Sequence, residues 1–278
     1  MGFFLYNKFM GNLRLYFKQS ATYQLYLLFT RQVNDFFTTL GDITKKTADV
    51  FSYIFKFEID RKAVLEQSSR FGVSSLPITL SIVGMSAIIV SMQVAGEMVK
   101  QGAGNYVGQL VTMLIVREDG VIMSGFAIIS MIGSSLAAEI ATMKVTEQID
   151  AMKALKVDPI KYLFVPRVVS GIIMMPLVVI VASVVGVLGG AVASNIVSGL
   201  SYRAFFESVW YGLYMKDIQV CLVKAIFFGA TIAIISCTCG YHAQGGAKGV
   251  GIATTKAVVW SFVAIAIWDL LFAAAFFF

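Results

Sequence analysis

The sequence predicts an all-α integral membrane protein: amphipathic N-terminal interfacial helices followed by five transmembrane helices. Three observations carry this. Of the 278 residues, 58% are hydrophobic and 14% charged, and the mean hydropathy is +0.80. A soluble domain carries roughly 25% charged residues, so an ordinary soluble enzyme, a disordered chain and a nucleic-acid binder are excluded. Five long apolar runs follow residue 75, at 76–96, 121–143, 168–197, 218–238 and 257–277, each close to the ~20 residues that cross a bilayer. The basic residues are also lopsided. With the N-terminus inside, segments 1–75, 144–167 and 240–256 hold ten, five and two Lys/Arg, and 97–120 and 194–217 hold two each. The split of 17 against 4 places the N-terminus inside and the C-terminus outside. The net charge of +6 therefore marks orientation.

Residues 1–75 form the first region. They mix aromatics with ten basic and six acidic residues, and no stretch is apolar enough to span. Leu25, Leu28, Phe29, Val33, Phe36, Phe37 and Leu40 recur at helical steps, which fits an interfacial amphipathic helix; a small soluble helical bundle is the alternative. Residues 76–278 form the transmembrane domain. Pro77 opens the first run. Residues 106–116 are too short to span and are cut off by Arg117-Glu118-Asp119-Gly120, so they read as a re-entrant or outer-surface element. The third run exceeds one crossing and should tilt or project.

Between the second and third runs, a short charged helix is expected over about 146–157. Thr146 would cap it, with Glu147 and Asp150 in its positive first turn, Lys153 and Lys156 in its last, and Asp158-Pro159 ending it. Ile149, Met152 and Leu155 form an apolar ridge. Spacing alone leaves a solvated loop helix and a docking helix equally open.

Charges within the membrane need partners. Lys224 lies six residues into the fourth run, about 9 Å, and Asp269 lies eight residues from Phe277, about 12 Å from the same face. They can pair, and Arg117 and Glu118 lie on that side. Ala182, Gly186, Gly190 and Ser194 recur every four residues and permit close helix approach, within the chain or at a dimer interface. Glycine-rich 245–251 lacks the Gly-Lys-Ser/Thr of a phosphate loop; it reads as a flexible turn, and any ATP must be hydrolysed by another chain. Cys221, Cys237 and Cys239 with the single His242 do not make a zinc set, so no metal is expected. No cleavable signal peptide is expected either.

Glu139-Ile-Ala-Thr-Met-Lys-Val-Thr-Glu-Gln-Ile-Asp-Ala-Met, with Val157-Asp-Pro-Ile-Lys-Tyr and Val165-Pro-Arg, resembles the MlaE/YrbE family of permease subunits in MCE-type lipid ABC transporters. Phe71-Gly-Val-Ser-Ser-Leu-Pro-Ile, Gly245-Gly-Ala-Lys-Gly-Val-Gly-Ile-Ala-Thr-Thr-Lys and Asp269-Leu-Leu agree, and the likeness covers roughly residues 63–277. It implies a permease with no cofactor of its own. ATP and Mg would sit on a cytoplasmic ATPase dimer. An MCE-domain protein would sit outside, and a second permease copy would complete a cavity for phospholipid or another hydrophobic lipid. It implies the bacterial inner membrane, with the chloroplast inner envelope as the second setting. It assigns ATPase coupling to the loop helix, through Thr146, Glu147, Gln148, Asp150, Met152 and Lys153. It places Arg117, Glu118, Lys224 and Asp269 near a lipid headgroup, against the alternative of an ion pair that only orients helices. Two departures stand out. Asp119-Gly120-Val121 lacks the family's proline, and Ile129-Ser130-Met131-Ile132-Gly133 lacks its arginine. An ATP-independent secondary transporter or channel, with Lys224 and Asp269 coupling ions, is the alternative function.

Overall fold

The computed structural model describes residues 21–56 and 59–277, which are α-helical with no strand among them. The chain divides into two units, Met1–Lys45 and Lys46–Phe278. Helix α1 covers Ala21–Phe55. Its first-unit part agrees with the helical spacing, and Phe37 and Leu40 are exposed. The side chains of Leu25, Leu28, Phe29, Val33 and Phe36 lie outside the described residues, as do residues 1–20.

The second unit contains five helical runs long and apolar enough to cross a membrane. Span one, Arg61–Lys100, comprises α2 (Arg61–Ser69), a π-helical turn at Arg70–Ser74 and α3 (Leu76–Lys100). It begins earlier than hydropathy indicates because Asp60 caps α2, accepting from the Lys62 and Ala63 amides. Ser75 bridges to α3 by donating to the Phe71 and Gly72 carbonyls, occupying acceptors where the ladder shifts near Pro77.

Span two corrects the expected boundaries. It runs over 42 residues, Gly104–Val145, through α4 (Val107–Leu114), a π segment (Ile115–Asp119), α5 (Gly120–Ile128), a second π segment (Ile129–Gly133) and α6 (Ser134–Val145). Residues 106–116 are thus its first turns and not a separate re-entrant element. A hydropathy window breaks at Arg117-Glu118-Asp119, but those charges are partnered inside the fold and do not end the helix. At 1.5 Å per residue the run is about 63 Å long, twice the ~30 Å hydrocarbon core.

Helix α7 (Gln148–Ala154) follows. Span three is Ile160–Ser198, mostly α8 (Val165–Ser198), with Gly199 at φ +66 closing it. Helix α9 (Tyr202–Gly212) is capped by Ser201, which accepts from the Ala204 amide. Span four is α10 (Met215–Tyr241) and span five is α11 (Gly246–Phe277). The glycine-rich 245–251 is therefore not a loop: only Gly245 and Gly246 have positive φ, and α11 continues through the rest.

Span three packs between span one and span four, and span five packs on spans two and four. The small residues explain the closeness. Ala182, Gly186, Gly190 and Ser194 are buried within the chain. A Cβ on Gly186 would meet Ala87 Cβ at 3.2 Å, and one on Gly190 would strike Ser91 Oγ. Gly171 and Gly229 set the crossing of spans three and four, each backbone lying where the other's Cβ would go.

Candidate functional site: a buried charge cluster and a tethered loop helix

The π segment of span two presents Arg117 and Glu118 toward span four. Lys224 is 0% exposed. Its Nζ donates to Glu118 Oε2 at 2.8 Å, Asp269 Oδ1 at 2.9 Å and the Arg117 carbonyl at 3.0 Å. All three ammonium hydrogens have acceptors, so one buried cation joins spans two, four and five. Arg117 Nε donates to Asp217 Oδ1 at 2.9 Å. Asp217 is 1% exposed, and its other oxygen accepts from the Tyr214 amide. The Phe277 ring covers the Arg117 guanidinium, 4.5 Å from its centroid. The four residues expected to lie on one side are thus brought together.

Sequence reasoning missed Asp217 and marked Asp119 only as a departure from the family pattern. Asp217 carries a weak signal, an acid in the first turn of a helix. Asp119 Oδ1 accepts from Ser86 Oγ at 2.6 Å, and its Oδ2 is buried without a partner. Ser86 gives no sequence signal. Both departures from the family pattern, Asp119 and Met131, fall in the two π segments of span two, a distortion often found at functional sites.

The opposite end of the bundle carries α7. Thr146 does not cap it. Thr146 closes α6, donating Oγ1 to the Thr142 carbonyl, and Glu147 in the left-handed region (φ 62) starts α7. The chain must reverse tightly between α6 and α7, and that conformation falls on Glu147. Lys156, φ 58, makes the exit. Three contacts tether the helix. Ile149 is fully buried. Lys144 Nζ donates to Asp150 Oδ2 at 2.8 Å, while within the helix Lys153 Nζ donates to Oδ1 at 3.3 Å. Lys153 also lies 5.3 Å from the Tyr241 ring centroid, with Lys46 at 4.4 Å from the same ring. Hydrogen bonds from Lys144, then Lys153, hold the Asp150 carboxyl below its ordinary pKa. The Tyr241 hydroxyl, then Asp150, raise that of Lys153. Glu147, Gln148 and Leu155 remain exposed and Met152 is half-buried.

A second network stands beside α7. Glu139 accepts from Arg167 at 3.1 Å and Arg70 at 3.2 Å, tying spans one, two and three. Arg167 is buried and also donates to the Leu163 carbonyl. The Tyr53 hydroxyl donates to Asp158.

Together these features define a multi-pass helical membrane protein with a buried ionic cluster at one end of its bundle and a tethered helix at the other. The family model described as Permease MlaE matches residues 64–275. The chain belongs to the MlaE permease family. It is 38% identical over 247 residues to a probable ABC transporter permease protein of Synechocystis sp., covering 89% of this chain and 91% of the relative. It is 39% identical over 216 residues to one of Rickettsia typhi, covering 78% and 83%. The chloroplastic protein TRIGALACTOSYLDIACYLGLYCEROL 1 of Arabidopsis thaliana is 34% identical over 224 residues, 81% of this chain and 64% of that protein.

Proposed function

We propose that this chain is the permease subunit of an ATP-driven transporter that moves phospholipid or another hydrophobic lipid. The observation that carries the reading is α7. Its exposed face, Glu147, Gln148 and Leu155, is free to meet a partner. Its anchored face is joined to span two through Lys144 and lies against span four at Tyr241. A partner that moves α7 moves those spans, so ATP hydrolysed elsewhere can change the shape of the membrane domain. Membership of a permease family supports the ATPase partner, and the lipid named in the Arabidopsis relative supports the substrate class.

The permease performs no covalent chemistry. Its work is to offer an apolar path with a few polar groups. Glu118 and Arg117, the more exposed members of the cluster, supply those groups for a headgroup, Lys224 and Asp269 hold them in place from within, and the π segment that carries Arg117 and Glu118 gives the helix an adjustable point. The basic residues favour the cytoplasm for the α7 end and the outer side for the cluster end. The N-terminal helix then lies in the inner interface, a second copy completes the cavity, and an MCE-domain protein receives or delivers lipid outside. The setting is the bacterial inner membrane.

Affinity purification in detergent, with mass spectrometry of bound proteins and lipids, tests the reading. An ABC ATPase and lipid should co-purify, and E147K/D150K should release the ATPase while keeping the chain folded. Recovery of the chain without ATPase and without lipid overturns it.

A further inference from the structure

Tyr241 ends α10 at the α7 end of the bundle and is half-buried. Phe164, fully buried at the start of span three, packs edge-on against its ring with the centroids 6.0 Å apart. Two spans therefore fix the plane of the ring. Ammonium groups from two further helices approach it. Lys46 of α1 lies 4.4 Å from the Tyr241 centroid and 5.9 Å from that of Phe164. Lys153 of α7 lies 5.3 Å from the Tyr241 centroid, and its ammonium donates to the Tyr241 hydroxyl.

From Lys46 onward α1 belongs to the second unit. Lys46, Val50 and Tyr53 follow at steps of four and three residues, which is one face of a helix. All three are engaged. Val50 is fully buried, and the Tyr53 hydroxyl donates to Asp158, just past the exit of α7. Ser52 and Phe55, on the opposite face, are exposed. This part of α1 thus meets α7 at two places: at Lys153 through the shared ring, and at the exit through Asp158.

We infer that Tyr241 is a positioning residue that couples the N-terminal helix to α7, which makes α1 a second input to the helix on which an ATPase would act. A cation attracted to a ring holds that ring in one rotamer. Lys46 therefore holds the ring where Lys153 meets it, and loss of either contact frees the ring for both. The coupling is reciprocal, so displacing α7 also loosens α1. The role as an input rests on the transport reading; the coupling itself does not.

The test is hydrogen exchange of the α7 amides in the full chain in nanodiscs, read against the amides of span three. K46M should speed α7 exchange about threefold, the size of one exposed cation–π contact, and leave span three unchanged. Y241L should speed it about tenfold, because ring packing is lost as well. K46M added to Y241L should change nothing further. In Y241F, which keeps the ring and loses the hydroxyl, K46M should still act, and this pair carries the test should Y241L fail to fold. S52A, on the exposed face of α1, should leave α7 exchange as it is. Wild-type α7 exchange in K46M, effects of K46M and Y241L that multiply, or equal acceleration of span three would overturn the coupling. In the complex with its ATPase, K46M should lower the lipid moved per ATP hydrolysed, and an unchanged ratio overturns the role of α1 as an input. A wild-type complex that moves no lipid with ATP sinks the transport reading instead and leaves the exchange result to decide the coupling.

Discussion

Replacing Lys224 by methionine removes the cation on which three spans converge. Each carboxylate contact, at 2.8 and 2.9 Å, is worth about 6 kcal/mol of gross attraction at an effective dielectric of 20. Much of that offsets the desolvation of a fully buried ammonium. The Glu118 arm is further screened, because its side chain is 35% exposed, whereas Asp269 is 15% exposed. Taking away one partner leaves the other uncompensated, and such losses run to about 3–5 kcal/mol. At 2–4 °C per kcal/mol for a chain of this size class, thermal unfolding of K224M in detergent should fall by about 10 °C. The double variant K224M/D269N removes the buried ammonium and its more buried carboxylate partner, and of the Lys224 partners leaves only the Glu118 carboxylate, which is 35% exposed. It should be more stable than the two single losses add up to, by about 2 kcal/mol. If K224M melts with the wild type, or if the two losses are additive, the cluster does not hold the helices and the reasoning is refuted.

Other consequences can be measured alongside. G229A drives a methyl group into the Gly171 backbone with no flexible side chain to yield, so it should cost the 1–3 kcal/mol of stability typical of overpacking and lower the melting temperature accordingly. G41A, exposed in α1 with open space around it, should leave the melting temperature unchanged or raise it, with a gain in stability of up to about 1 kcal/mol. E147G relieves a left-handed backbone at a cost of roughly 1–2 kcal/mol in a non-glycine residue, so it should melt at or above wild type. Asp150 ionises below its ordinary range because Lys144 and Lys153 donate to it. The stability it contributes is therefore present at pH values above the ordinary carboxyl pKa and lost as pH falls through the lowered value. Hydrogen exchange of the α7 amides, corrected for intrinsic rates, should show the same protection at pH 7 and pH 5 and weaken only in stronger acid, whereas K144Q should already weaken it at pH 7.

Much of the fold was legible because apolar runs of bilayer length admit few arrangements. The Lys224–Asp269 contact was legible for a simple reason: the 1.5 Å helical rise puts both at one depth from the same face. Span two was not. Its charges read as a break, and only the buried partners Lys224, Asp217 and Ser86 allow the helix to continue through them. Those partners are 33 to 106 residues away, so no local pattern encodes them. The start of α7 was misjudged because Thr146 is a good cap by type, whereas the tight reversal placed the left-handed residue one position later. The ridge residue Ile149 was legible from spacing and is fully buried. The Glu139–Arg167 contact was not, because the arginine lies 28 residues away across a loop.

The central claim is that ATP hydrolysed by a partner is transmitted through α7 to move lipid. Its most direct test is movement of a fluorescent phospholipid by the purified permease–ATPase complex in liposomes, with ATP as the only energy source. Movement should require ATP and stop in E147K/D150K. Movement that persists without ATP and follows an imposed ion gradient would contradict the account.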